Sequence, residues 1–275
     1  MVEVIQHDGV TEWRFSSLAS RLAGYTASAF LLRDGVLVDT GIPAASREFE
    51  RLLSASKIRG VLLTHHHEDH AGNVEAVARR GLRIWMPEAT LPLVTSVAPI
   101  RGYRRWTWAS MTPLTSNVVP FEPETLEPIA TPGHTDDHHA FRDARTRTLY
   151  SGDLFLGVAV RIAHHGEDPW VLIDSLERAA ALNPVRMFDS HRGLVPDPVT
   201  ALRAKAAWCR ELIASISAGL RRGESDRQIL RAVMGGESIT GLASGGEYSR
   251  LNFIRNVRGL AAHAGPSRAP RDTGA

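Results

Sequence analysis

Residues 60–73, GVLLTHHHEDHAGN, run an unbroken apolar segment straight into four histidines and two acids. A short continuous apolar run is the pattern of a strand buried on both faces. The polar burst therefore begins where a buried strand ends. His65 and His67 are two apart, so in extended chain they project to the same side. Asp69 and His70 fall where a helix starts, and the turn can aim them at a second point. The H-x-H-x-D-H spacing suits two adjacent metal positions better than one. His66 and Glu68 fill the intervening positions and read as flanking residues.

Upstream, VEVIQH, EWRFSS, SAFLLRD and GVLVDTG read as short strands separated by Gly and Asp turns. PAASREFERLLSAS reads as a helix opened by Pro43. AGNVEAVARRG reads as a helix ending at Gly81, and LRIWMP as a further strand. Strands and helices that alternate after an antiparallel opening indicate an α/β layered fold. Residues 96–127 have no clean period and are rich in Pro, Trp and polar side chains, as functional lids often are. EPIATP, HAFRD, TLYSGDLF and VRMFDSH return to strand patterns, and WVLIDSLERAAAL is helical. From Pro198 onward three helices with Gly breaks are expected. The division this predicts is a catalytic domain over 1–195, a helical extension over 196–262 and a disordered tail over 263–275.

Composition sets limits on partners. The chain has 32 Lys+Arg against 30 Asp+Glu, a net charge of +2, so no nucleic-acid partner is expected. Its one cysteine, Cys209, excludes an intrachain disulfide and reads as a buried small apolar residue on a helix. The N-terminus lacks a basic start followed by an apolar core, and no apolar run approaches about 20 residues. No signal peptide and no membrane partner are therefore expected, and a reducing cytoplasm is the expected location. Histidine, with 12 copies, is the unusual count.

Four more stretches bear on the histidines: VLVDTG at 36–41, TPGHT at 131–135, YSGDLF at 150–155 and DSHRG at 189–193. With the H-x-H-x-D-H segment, in this order, they resemble the metallo-β-lactamase fold superfamily. The resemblance implies a four-layer αββα sandwich carrying two divalent ions. It makes His65, His67 and His134 ligands of the first ion and Asp69, His70 and His191 ligands of the second. Asp153 becomes the bridging carboxylate, Asp39 a residue that orients a ligand imidazole, and His138 a supporting or pocket residue. Imidazoles and carboxylates suit zinc, with manganese or iron as alternatives. The implied activity is hydrolysis of a small ester-like substrate, a glyoxalase II-like thioester or a lactone, by hydroxide held at the metals and oriented by Asp69. The basic glutathione-binding residues of glyoxalase II are not recognisable here. A β-lactamase-like amidase, a phosphodiesterase, and a mononuclear-iron oxidoreductase of the sulfur dioxygenase type are the alternatives.

Other residues carry weaker expectations. Tyr103, Trp106 and Trp108 read either as pocket walls or as core. His164 and His165 read as a surface turn or as pocket residues. Asp136 and Asp137 stand where the superfamily often has Pro-Gly and read as a solvated turn with Asx-type bonding. His139 opens a strand and is expected to face outward. Arg221 and Arg222 end a helix whose dipole they favour. SGGEYSRLNFIRNV resembles C-terminal segments of some hydrolases of the superfamily, with no role evident for Ser249, Asn252 or Arg255.

Overall fold

The computed structural model describes residues 1–159 and 162–263. The expected disordered tail lies outside the described residues, apart from the end of the last helix. The first half forms β1 (Val2–His7), β2 (Val10–Phe15), α1 (Leu18–Ala23), β3 (Ala27–Leu32), β4 (Val36–Val38), α2 (Ser46–Ala55), β5 (Gly60–Leu62), α3 (Val74–Arg79), β6 (Arg83–Trp85), α4 (Thr90–Thr95), α5 (Gly102–Trp108) and β7 (Val119–Pro120). The second half forms β8 (Glu127–Ala130), β9 (His139–Asp143), β10 (Thr148–Tyr150), β11 (Ala163–His164), α6 (Pro169–Ala181), β12 (Arg186–Asp189), β13 (Gly193–Val195), α7 (Pro198–Arg221), α8 (Asp226–Met234), α9 (Ile239–Ala243), β14 (Tyr248–Ser249) and α10 (Arg250–His263).

Strands β1 to β7 make one sheet in sequence order, and a second sheet runs β13-β12-β10-β9-β8. The first sheet is antiparallel through β4, then parallel through β5, β6 and β7. The change follows from the connections. Tight turns join the early strands, whereas α2 and α3 carry the chain back over the sheet between parallel strands.

Side-chain alternation stacks the layers. Leu62 and Phe30 point inward and meet Phe141, Tyr150 and Phe188 of the second sheet. Val61 and Leu63 point the other way, onto Phe49, Val74 and Val77 of α2 and α3. Leu149 and Met187 face outward onto Leu172 and Leu176 of α6 and Leu202, Ala206 and Cys209 of α7. The order is helix, sheet, sheet, helix, the αββα sandwich that the sequence led us to expect. Gly60 is fixed by this packing, since a Cβ there would sit 2.4 Å from the Phe121 ring.

The helices after Pro198 share the core of α6 rather than forming a core of their own. Asn252 bolts them down by donating from Nδ2 to the carbonyls of Ala163, Gly246 and Glu247. Ser249 accepts the Asn252 N–H at the start of α10. Helices α1, α4, α5 and α9 and strands β7, β11, β13 and β14 have no counterpart in the sequence reading. Among the described residues no helix is long and apolar enough to cross a membrane.

Candidate metal centre

Strand β5 is flanked on both sides by parallel strands, so its end is held firmly. The chain leaves it at Thr64 and is caught at once by Asp39. Asp39 has a φ of 63°, a left-handed conformation that costs a non-glycine residue energy. That turn delivers a fully buried carboxylate to the Thr64 backbone N–H at 2.8 Å and to the Thr64 hydroxyl. The same carboxylate meets His70 Nδ1 at 2.8 Å, which leaves Nε2 of that ring facing the centre.

The sequence-predicted ligands come together in two groups. His65, His67, His134 and Asp153 each offer an atom within 4.8 Å of the others, and Asp69, His70 and His191 do the same. Asp153 faces both groups. Its Oδ2 lies 3.4 Å from His134 Nε2, while its Oδ1 lies 3.2 Å from both His70 Nε2 and His191 Nε2. Asp69 Oδ2 is 3.5 Å from His191 Nε2.

The donor set fits metal ions on grounds internal to the protein. His65 Nε2, His70 Nε2 and Asp153 Oδ1 are buried and have no hydrogen-bond partner. One orphaned buried polar atom is costly; three divided between two adjoining donor groups call for ligands. Burial, reinforced by neighbouring imidazoles, pushes His65 and His67 well below the ordinary histidine range, so both are neutral with lone pairs to give. Burial alone would raise Asp153, but His191 and His70 hold it well below the carboxylate range.

Outer contacts fix the rings. His191 Nδ1 donates to the Thr26 carbonyl at 2.6 Å, which turns Nε2 toward the site. His134 Nδ1 lies 3.4 Å from Glu167 Oε1. His138 is not in either ligand group. Its Nε2 accepts the Asp153 backbone N–H at 3.0 Å, which places the ring proton on Nδ1, 2.8 Å from the Thr131 hydroxyl. Burial first, then the neighbouring His134, pushes it down to about 3. Gly152 makes this contact: with φ of 52°, it passes so close that a Cβ would sit 2.6 Å from His138 Nε2.

The centre forms one end of a cavity of about 410 Å³, walled by Tyr103, Trp108, Leu172 and Tyr248 among others. Residues 23–191 match the sequence profile of the metallo-beta-lactamase superfamily. The chain belongs to that superfamily. Metallo-beta-lactamase superfamily proteins are generally metal-dependent hydrolases. The chain is 29% identical over 209 residues to a beta-lactamase-like protein 2 homolog of Drosophila melanogaster, covering 68% of each protein. It is 28% identical over 203 residues to the Caenorhabditis elegans counterpart, covering 68% of this chain and 65% of the worm protein. A beta-lactamase domain protein from Burkholderia ambifaria superposes with a TM-score of 0.66 at 19% identity, covering 94% of this chain and 88% of its own. A metallo-beta-lactamase family protein from Thermus thermophilus gives 0.62 at 19% identity, covering 93% of each.

Several expectations need correction. Trp106 is 57% exposed and is not part of the cavity wall to which Tyr103 and Trp108 belong. His164 and His165 do not line it either: His164 pairs with Tyr248 in the β11–β14 ribbon, and His165 is exposed. Asp136 is exposed, but Asp137 is buried. Asp137 accepts the His66 backbone N–H and the Thr90 hydroxyl and pairs with His66 Nδ1, so it ties two loops of the site together. His139 is half-buried, with its ring edge-on to Trp85.

Glu68 is not a simple flanking residue. It is buried and paired in two-pronged fashion with Arg104 of α5, whose guanidinium also approaches Glu247 and the Tyr248 ring. Glu167 and Lys205 are further site residues that sequence reasoning missed. Lys205 is buried and donates from Nζ to the carbonyls of Leu154 and Phe155, which directly follow Asp153. A signal for it existed. The chain has two lysines, Lys57 and Lys205, and the second stands between Leu202 and Cys209 on an apolar helix face.

Proposed function

We propose that the chain is a hydrolase working with two divalent ions, most simply zinc, on a small ester-like substrate such as a thioester or lactone. His65, His67 and His134 would hold one ion, Asp69, His70 and His191 the other, and Asp153 both. The observation that carries this reading is Asp153, which turns one carboxylate oxygen to each group of donors. Bound ions of this kind supply Lewis acidity and a water ionised near neutral pH.

The chain's own residues supply position. Asp39, Thr26 and Glu167 aim the imidazoles, and His138 and Lys205 brace the backbone on either side of the Asp153 side chain. Asp69 orients water by accepting its hydrogen at a carboxylate oxygen. A cavity of about 410 Å³ suits a small molecule, and Tyr103, Trp108 and Leu172 give its acyl portion an apolar wall.

The test is a panel of thioester, lactone, β-lactam and phosphodiester substrates, run before and after chelation. Turnover of the ester-like substrates, lost on chelation and absent in His134→Ala, is expected. Turnover confined to phosphodiesters or β-lactams replaces the substrate class. One iron per chain with oxygen uptake replaces the hydrolase reading altogether.

A further inference from the structure

Three short elements border the cavity mouth, and each carries large apolar side chains that face water. The end of α1 lends Ala23, Gly24 and Tyr25 to the cavity wall, α5 lends Tyr103, Thr107 and Trp108, and α9 lends Thr240. They are joined to one another: Ser17 Oγ donates to the Thr107 carbonyl at 2.7 Å, and Tyr25 Oη lies 3.2 Å from Thr240 Oγ1. On these elements Leu18, Leu22, Ile239 and Leu242 are 74% to 87% exposed, the four most exposed large apolar residues among those described. Leu18 and Leu22 are four apart and Ile239 and Leu242 three apart, so each pair shares one helix face. Trp106 of α5 is exposed as well.

The charge on this collar is mainly positive, because Glu237, just before α9, turns its carboxylate onto the backbone N–H groups of Ser238, Arg250 and Leu251. Residues 17–25, 100–109 and 238–246 contain no Asp or Glu, but they contain Arg21, Arg101, Arg104 and Arg105. Arg104 is committed to Glu68. The other three are exposed, and no ion pair involves them among the described residues.

Exposed aliphatic and indole side chains interleaved with unpaired arginines are the chemistry that sits in the headgroup boundary of an anionic bilayer. We infer that the cavity mouth docks on an anionic lipid surface, with Leu18, Leu22, Trp106, Ile239 and Leu242 entering the acyl boundary and Arg21, Arg101 and Arg105 meeting lipid phosphates. A second copy of the chain is the less suitable occupant. A two-fold interface would set the arginine collar against itself, with only Glu237, already held by backbone N–H groups, to offset it. Docking this way opens the cavity toward the lipid and does not depend on which bond the centre cleaves.

The experiment is co-sedimentation of the full chain with vesicles of phosphatidylcholine containing phosphatidylglycerol, against vesicles of phosphatidylcholine alone. Binding to the anionic vesicles that weakens as salt rises is expected. Arg101→Gln or Arg105→Gln should each lower partition about fivefold. Leu22→Ser or Leu242→Ser should each lower it about tenfold or more. Val185→Ser, exposed away from the cavity, should leave it unchanged. Binding to neither vesicle, or equal binding to both, overturns the inference. So does a concentration-dependent dimer that Leu22→Ser and Leu242→Ser return to monomer, which would assign the collar to self-association.

Discussion

Asp137→Asn isolates what the buried carboxylate beside the H-x-H-x-D-H loop contributes. Asp137 accepts hydrogen bonds from the His66 N–H at 2.9 Å and the Thr90 hydroxyl at 2.7 Å, and its other oxygen lies 2.9 Å from His66 Nδ1. Burial alone would push the carboxyl up, but His66 and then Thr90 overcome it and hold the group at about 2, against an ordinary 3.8. At 1.36 kcal/mol per pKa unit, the ionised group stabilises the fold by about 2 kcal/mol. Asparagine has nearly the same shape, but its NH₂ must face one of the donors. At least one bond to a charged acceptor is then lost, worth about 1.5–3 kcal/mol. Both routes converge on about 2 kcal/mol. The assay is urea unfolding of the two proteins across a pH series. The folded pKa lies below the unfolded one, so the contribution is full above about pH 4 and is lost as pH falls through about 2. The stability gap between the two proteins should therefore be flat from neutrality to about pH 4 and then close. A gap under about 0.5 kcal/mol at neutrality, or one that persists unchanged to about pH 2, refutes the reasoning.

Arg104→Met leaves Glu68 buried without its partner and should cost about 3–5 kcal/mol in chemical unfolding, much of it recovered in the double variant with Glu68→Gln. No recovery would mean the pair does not act as a unit. Gly152→Ala forces a Cβ onto His138 and strains a backbone at φ of 52°, so it should displace Asp153 and weaken cobalt binding in a spectroscopic titration. Unchanged cobalt spectra would show that the Gly152 approach is slack. Asp39→Asn removes the carboxylate behind His70 and should lower metal affinity about 10–100-fold; wild-type affinity would remove Asp39 from the site.

The candidate donors were legible because their pattern is local. A buried strand followed at once by H-x-H-x-D-H leaves little else for those side chains to do, and His134, Asp153 and His191 sit in similarly short motifs. The supports were not legible because their partners are remote in sequence. Glu68 meets Arg104 across 36 residues, His66 meets Asp137 across 71 and Lys205 meets Leu154 across 51. Spacing alone made Glu68 and His66 look idle, and turn chemistry alone made Asp137 look solvated. The layered fold followed from strand and helix periods, but α1, α9 and the β11–β14 ribbon are too short to show a period. Trp106 was misread because the irregular lid folds into α5, which puts Trp108 in the cavity wall and leaves Trp106 exposed to solvent.

The central claim is that two donor groups share Asp153, and counting metal ions tests it most directly. Chelator-treated protein titrated with zinc, then freed of excess metal and analysed by mass spectrometry, should retain two ions per chain, one for each group. Asp153→Ala should lower the retention of both. A single ion per chain that survives Asp153→Ala would contradict the account.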